Sequence, residues 1–339
     1  HGATFYRFFG GYGLVSDGIV TYKELSVASA PISVPFATTL YTGTGATQII
    51  VSGLDFVAND GLIWIKSRSQ SFAHTLFDTV RGVAKLLQSN DDSAETTVAN
   101  SLTSFNNDGF TYGAFANGNG SGDTYVAWQI IEKQGFFDIV KYTGDGVAGR
   151  AVALDLDDGS AVFGMSIIKR LDGAGSWWVQ HNSLGGTKAI ALNGTSGEST
   201  TSAYWNDTGA TESLLTLGAT SDVNASGGTY ISYNFAHNPT KGIFCGSYTG
   251  TGAAGNVVVT GFPVGWVLIR RAGIGDWLLF DIERPTSGAY LRPNSSFAEQ
   301  TSATLVVTYD ADGFTLDGTG DSLNGVGDTY IFMAIANPT

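Results

Sequence analysis

The sequence predicts an all-β protein made of three tandem jelly-roll β-sandwich units of about 100 residues each. Three observations carry this. Asn119, Gly122, Thr124 and Tyr125 return as Asn224, Gly227, Thr229 and Tyr230, and again as Asn324, Gly327, Thr329 and Tyr330. Upstream of each copy lies a second phrase, in which Asn90, Asn193 and Asn294 precede Glu95, Glu198 and Glu299 at one constant spacing. A third phrase, Tyr41-Thr42-Gly43-Thr44-Gly45, recurs as Tyr142-Thr143-Gly144-Asp145-Gly146 and Tyr248-Thr249-Gly250-Thr251-Gly252. Ordered phrases repeated in this way mean that one fold unit has been triplicated.

Composition agrees. Of 339 residues, 46 are Gly and only 7 are Pro, while 43% are apolar and 14% charged. That is the profile of many short strands and tight turns. The formal net charge of −13 leaves no basic face for phosphates, so nucleic acid is not an expected partner. No run approaches the ~20 apolar residues of a membrane span, and membrane insertion is not expected. The acidity reads as solubility, or as a preference for neutral or cationic partners. The single cysteine, Cys245, cannot form an intrachain disulfide and reads as a small buried hydrophobe.

Along the chain, residues 1–40 form a lead-in, with a candidate strand from Val20 to Val27 and breaks at Pro31 and Pro35. Gly2, Thr4 and Phe5 echo the Gly122–Tyr125 phrase, so the start of the chain reads as the tail of an earlier repeat, with processing or a chance echo as the alternatives. The units are expected at 41–141, 142–247 and 248–339, without flexible linkers. Within each, an apolar run ends in cations: Trp64-Ile65-Lys66, Ile167-Ile168-Lys169 and Leu268-Ile269-Arg270. Such a run suits a strand buried on both faces. Aromatic strands follow at Thr75–Asp78, Trp177–Gln180 and Trp277–Phe280. Later strands are expected at Gly109–Tyr112, Leu214–Leu217 and Gly313–Leu316. The Asn-x-x-Gly phrase then turns the chain into a last strand led by Tyr125, Tyr230 or Tyr330. Val80 to Gln88 is the best helix candidate. Seven Trp and 20 Phe are enough to fill three cores, at roughly 150–250 Å² each.

The repeat also sorts candidate chemistry. His74 falls opposite Trp177 and Trp277, and His181 opposite Asp78 and Asp281. The histidines occupy different places and form no metal-ligand set. Glu95, Glu198 and Glu299, with Asn90, Asn193 and Asn294, read as loop and turn anchors. Tyr125, Tyr230 and Tyr330 belong to the same scaffold. Asp155-Leu156-Asp157-Asp158-Gly159 lacks the closing Glu of a calcium loop, and no phosphate-binding glycine loop is present. No catalytic residue, metal site or cofactor is expected. The cationic pairs Lys66 and Arg68, Lys169 and Arg170, and Arg270 and Arg271 fit two roles. They pair with the repeated Glu inside each unit, or they line a groove for an anionic sugar or a neighbouring subunit. Trp177, Trp178 and Trp205 are the candidate glycan-binding aromatics, because one of two adjacent Trp on a strand must face away from the core.

With the repeats laid out, the sequence resembles a tail-fibre-like family of bacteriophage surface proteins built from tandem concanavalin-like sandwiches. The matching segments include Trp64-Ile65-Lys66-Ser67-Arg68, Leu76-Phe77-Asp78-Thr79-Val80-Arg81-Gly82, Asp108-Gly109-Phe110-Thr111, Gly122-Asp123-Thr124-Tyr125-Val126-Ala127-Trp128 and His181-Asn182-Ser183-Leu184-Gly185. The resemblance covers residues 41–339. It implies a non-enzymatic virion surface protein that forms a homo-oligomer (a trimer is favoured), meets other virion proteins and contacts host surface glycans. The alternatives are a purely architectural virion component, or a glycan-degrading enzyme with a carboxylate pair confined to one unit.

Overall fold

The structure, a computed structural model, describes residues 32–338 except 285–287, and in the leading segment only three short strands. Those strands, Arg7–Phe8, Gly11–Ser16 and Ile19–Tyr22, pair antiparallel within a unit of their own, His1–Pro31. The echo at Gly2–Phe5 and the rest of a Val20–Val27 strand lie outside the described residues. From Ile32 onward the chain forms one compact unit.

Inside that unit one strand order appears three times. An opening strand (Phe36–Thr42, Phe137–Thr143, Ile243–Thr249) pairs with a closing strand (Thr124–Ile131, Thr229–His237, Thr329–Ala336). The closing strand pairs with an inner strand (Gly61–Ser67, Val162–Arg170, Val264–Arg271), and the inner strand with an edge strand (Thr75–Asp78, Trp178–His181, Trp277–Asp281). All pairings are antiparallel, and their registers match: Tyr125 faces Tyr41, Tyr230 faces Tyr142, and Tyr330 faces Tyr248. The Tyr-Thr-Gly phrase therefore closes each opening strand instead of preceding it. The repeated pairing begins at Phe36, Phe137 and Ile243, a few residues upstream of the starts read from the sequence.

A smaller sheet covers one face of each larger one. In the first copy, Gln48–Val51, Leu102–Asn106 and Gly109–Tyr112 enclose a core with Ile63, Ile65, Phe77, Tyr125 and Ala127. The third copy has the equivalent strands Asn256–Val259, Val307–Asp310 and Gly313–Leu316. In the second copy only Arg150–Ala153 and Leu214–Leu217 remain, and the short helix Ser202–Trp205 precedes Leu214–Leu217 where the other copies have a strand. The segment 80–88 is not helical. It contains turns and the two-residue strand Lys85–Leu86.

The other face of each large sheet turns toward the remaining copies. Leu62, Trp64, Trp128 and Ile130 of the first copy meet Ile167 and Phe235 of the second and Trp266, Met333 and Ile335 of the third around a small apolar gap. This explains why the inner strand Gly61–Ser67 is buried at every position. One face packs into its own sandwich, the other into a centre shared by all copies.

Candidate functional site

The repeated residues fall into two groups, one inside each copy and one at the seams between copies. Tyr125, Tyr230 and Tyr330 belong to the first. They are buried and stack on Tyr41, Tyr142 and Tyr248, with centroids 5.2, 5.1 and 4.9 Å apart. Their hydroxyls donate to the carbonyls of Ala116, Ser221 and Asp321 and accept from the amides of Gly120, Ala225 and Gly325. Asn119, Asn224 and Asn324 accept from the amides of Thr44, Asp145 and Thr251. Gly43, Gly144 and Gly250 pass so close to the turn before the closing strand that a Cβ would lie 2.1–2.2 Å from a backbone carbonyl oxygen. That close approach is why the opening phrase needs glycine there.

Asn90, Asn193 and Asn294 each accept from the amide of the residue that begins the edge strand region: His74, Trp177 and Trp277. The side chains of those three reach across a seam. Trp177 Nε1 donates to Gln88 O, Trp277 Nε1 to Ala191 O, and His74 Nε2 to Arg292 O, all at 2.9 Å. His74 Nδ1 accepts from Trp64 Nε1 at 2.9 Å, so the proton lies on Nε2 and the imidazole stands in for an indole N–H. Burial lowers the His74 pKa well below its ordinary value.

Glu95, Glu198 and Glu299 also sit at seams, where their amides donate to the carbonyls of Leu171, Ala272 and Arg68 in the next copy. The direction is constant: copy one onto two, two onto three, three back onto one. The three copies close into a ring. Their carboxylates bind Arg81 and Lys85, Lys188, and Arg284 and Arg68 respectively. The expected pairing of the cationic strand ends with Glu inside each unit is therefore corrected. Of those cations only Arg68 takes a repeated Glu, and it belongs to another copy. Lys169 and Arg270 donate to backbone carbonyls of the preceding copy, at Asp92 and Ser196. Lys66 donates to Ser67 O and Gln70 O. Burial lowers the pKa of Lys66 to about 7 and that of Lys169 to about 8.

A second seam element left no mark among the repeated phrases. Asp78 and Arg81 form a buried ion pair at 2.5 Å, and Asp281 and Arg284 repeat it at 2.7 Å. Each aspartate also accepts from an aromatic of another copy, Tyr233 OH at 2.7 Å and Trp128 Nε1 at 2.9 Å. In the second copy the same positions hold His181 and Leu184, and His181 Nε2 donates to Phe332 O at 3.0 Å.

The candidate glycan aromatics are placed differently from one another. Trp177 and Trp205 are fully buried, and Trp205 Nε1 donates to Lys188 O. Neither presents a face to a sugar, which corrects that expectation: one fills a seam, the other caps the second sandwich. Trp178 alone is partly exposed. It packs on Tyr204 with centroids 3.8 Å apart and donates to Asp222 at 2.8 Å. Sequence reasoning misses Tyr204 because a four-residue helix leaves no periodic signal. Cys245 is buried, and burial raises its thiol pKa.

A cleft of about 490 Å³ opens between the first two copies, lined by Asp60, Glu132, Asp138 and Asp155 with Lys133 and Gln134. Burial, and then the neighbouring carboxylates, raise Glu132 to about 6. Each acid already anchors the backbone or a neighbour: Glu132 accepts from Ile139 N, Asp138 from Asp155 N, Asp60 from Thr79 and Asp155 from Gln134. Among the described residues no cluster of His, Cys, Asp or Glu is arranged to hold a metal ion, and no helix is long and apolar enough to cross a membrane.

Repeated antiparallel sheets, with the repeated polar residues engaged at turns and seams, define an all-β sandwich protein. Residues 33–338 match the family described as a domain of unknown function (DUF7483), and the chain belongs to that family. No match was found among curated proteins.

Proposed function

We propose that this chain is a non-enzymatic bacteriophage virion protein, a tail-fibre or surface adhesin that contacts host glycans. The observation that carries the reading is the division of labour among the side chains. The Tyr, Asn and Glu side chains repeated in every copy are buried or half-buried, inside a sandwich or at a seam, and His74, His181, Cys245, Trp177 and Trp277 are buried with them. The side chains best suited to chemistry are thereby withdrawn from solvent. The largest outward divergence is the second copy's 201–213 region, where Tyr204 packs against Trp178. The resemblance to phage surface repeats supplies the virion context. In that reading the chain assembles as a homo-oligomer with other virion proteins, and weak sites on linked copies gain avidity of ~10²–10⁴. Purified protein bound to immobilised host surface polysaccharide, with label found at the particle surface, is the expected result. Release of new reducing ends from that polysaccharide would instead place the Glu132 cleft at the centre of the function.

One observation favours a purely architectural role. The outer-sheet strands turn β-branched side chains to solvent, Ile49 and Val51 in the first copy and Val257 and Val259 in the third, each 59–66% exposed. In the first copy they border a groove of about 650 Å³ with Val57, Phe105 and Asp108. Exposed apolar strands invite pairing with neighbouring chains, as a capsid-decorating lattice needs. Ordered arrays on the particle without glycan binding would establish this reading.

A further inference from the structure

Repeats make departures visible, and the largest departure at a core position is Gln180. The registers place it opposite Phe77 and Phe280, which fill the first and third sandwiches. Gln180 is 1% exposed. Its Nε2 donates to Thr208 O at 3.0 Å, which fixes the amide orientation, and its Oε1 is buried without any hydrogen-bond partner. Burying an acceptor without a partner forfeits its hydration and gains nothing in return. An amide oxygen without a partner, where two siblings keep phenylalanine, therefore calls for a reason.

Gln180 lies on the wall of a pocket of about 220 Å³ that also includes Val162, Phe163, Asn182, Thr211 and Glu212. Just before the pocket-lining residues Gly209–Glu212 the chain holds two consecutive non-glycine residues in the left-handed region, Asn206 at φ 50°, which ends the short helix Ser202–Trp205, and Asp207 at φ 53°. Asn and Asp tolerate that region better than other residues, but two in a row is uncommon. The segment is pressed against Gly186, where a Cβ would lie 2.1 Å from the Thr208 carbonyl carbon. The chain that leads into the pocket wall at Gly209–Glu212 is thus held in place by close contact with Gly186.

We propose that this pocket of the second copy binds one neutral sugar residue of a glycan. Its size is below the ≈ 300–1,000 Å³ of drug-sized sites and suits a single pyranose ring. Gln180 Oε1 and the Glu212 carboxylate are acceptors, so the ligand must donate hydrogen bonds, as sugar hydroxyls do. Among the described residues no Lys or Arg lines the pocket, which disfavours anionic sugars. Phe163 with Val162 and Ala210 offers an apolar wall for the C–H face of the ring. The inference rests on the adhesin reading and gives it an address.

The test uses the full chain with D-glucose, D-galactose and D-mannose at millimolar concentration, read by saturation-transfer NMR and thermal shift. Saturable binding of at least one sugar is expected. Gln180→Phe, which restores the residue of the other copies, should weaken it about tenfold or more. Glu212→Ala, on the partly exposed loop, should weaken it too and keeps the test open if the first variant misfolds. Unchanged affinity in both variants, or wild-type binding of none of the sugars, would overturn the pocket. So would preferential binding of an organic amine such as choline. Adhesion to host polysaccharide measured alongside separates the two claims. Adhesion unaffected by both variants sinks the pocket and leaves the adhesin, whereas a wild type that does not adhere at all sinks the adhesin.

Discussion

Two kinds of seam hold the ring together, and they differ at one point. Where the first copy meets the second and the third meets the first, a buried Asp–Arg pair accepts from Tyr233 or Trp128 of the neighbour. Where the second meets the third, His181 and Leu184 replace the pair, and the neighbour offers Met333 in place of Tyr233 or Trp128. A side chain without a donor is matched by an edge strand without a carboxylate. The three positions change together because a buried carboxylate is tolerable only while both its arginine and its donor remain. The imidazole instead uses a backbone carbonyl, which every copy supplies.

The sharpest way to break this comparison is to remove one arginine. Arg81→Leu leaves Asp78 buried and unpaired, and a loss of about 3–5 kcal/mol is expected in urea unfolding. The second copy offers no counterpart to that experiment, since Leu184 stands at the equivalent position and its seam already lacks the charge. Transplanting the whole set, Asp78→His with Arg81→Leu and Tyr233→Met, should cost less than Arg81→Leu alone. A triple variant as unstable as the single one would show that the three positions are not coupled.

The next effects are those the copies should share. Gly43→Ala, Gly144→Ala and Gly250→Ala each force a Cβ against a carbonyl oxygen, and each should cost about 1–3 kcal/mol. Tyr125→Phe, Tyr230→Phe and Tyr330→Phe each remove a hydroxyl that both donates and accepts, at about 1–3 kcal/mol. Agreement among the members of each set, read from thermal or urea unfolding, sharpens the equivalence of the copies. A single outlying copy would break it.

The smallest effect concerns pH. Burial lowers the His181 pKa to about 4, against about 6.5 for a free histidine. The unfolded chain then binds more protons between those values, so stability falls as pH drops from about 6.5 toward 4, by at most about 1.4 kcal/mol per pH unit. His74 contributes in the same direction. Glu132, raised to about 6, opposes them, because its folded form holds a proton that the unfolded form releases. Comparing wild type with His181→Gln at pH 7 and pH 5 isolates the histidine. The variant should lose less stability on acidification, and an equal loss in both would remove His181 from the account.

Much of this is legible in the sequence, for a physical reason. Tyr125, Tyr230 and Tyr330 recur because each hydroxyl meets the same backbone groups, and Gly43, Gly144 and Gly250 recur because each passes the same carbonyl. Repetition reports shared surroundings. It does not report which copy supplies the partner, so the pattern makes Glu299 an anchor within its own unit although its carboxylate also holds Arg68 of the first. Closure of the ring is a long-range property that no local phrase encodes. Trp177 illustrates the same limit. Two adjacent Trp on a strand point to opposite faces, but here the face opposite Trp178 is a seam, not solvent. Gln180 is visible as a polar residue opposite Phe77 and Phe280, and a comparison of aligned core positions singles it out.

Closure of the third copy onto the first is the central claim, and a double-mutant cycle across that seam tests it most directly. Trp128→Phe, Asp281→Asn and their combination would be compared by urea unfolding of the full chain. The ring predicts a coupling energy of about 0.5–3 kcal/mol between residues so far apart in sequence. Additivity within about 0.3–0.5 kcal/mol would mean that Trp128 and Asp281 do not meet and that the ring is open.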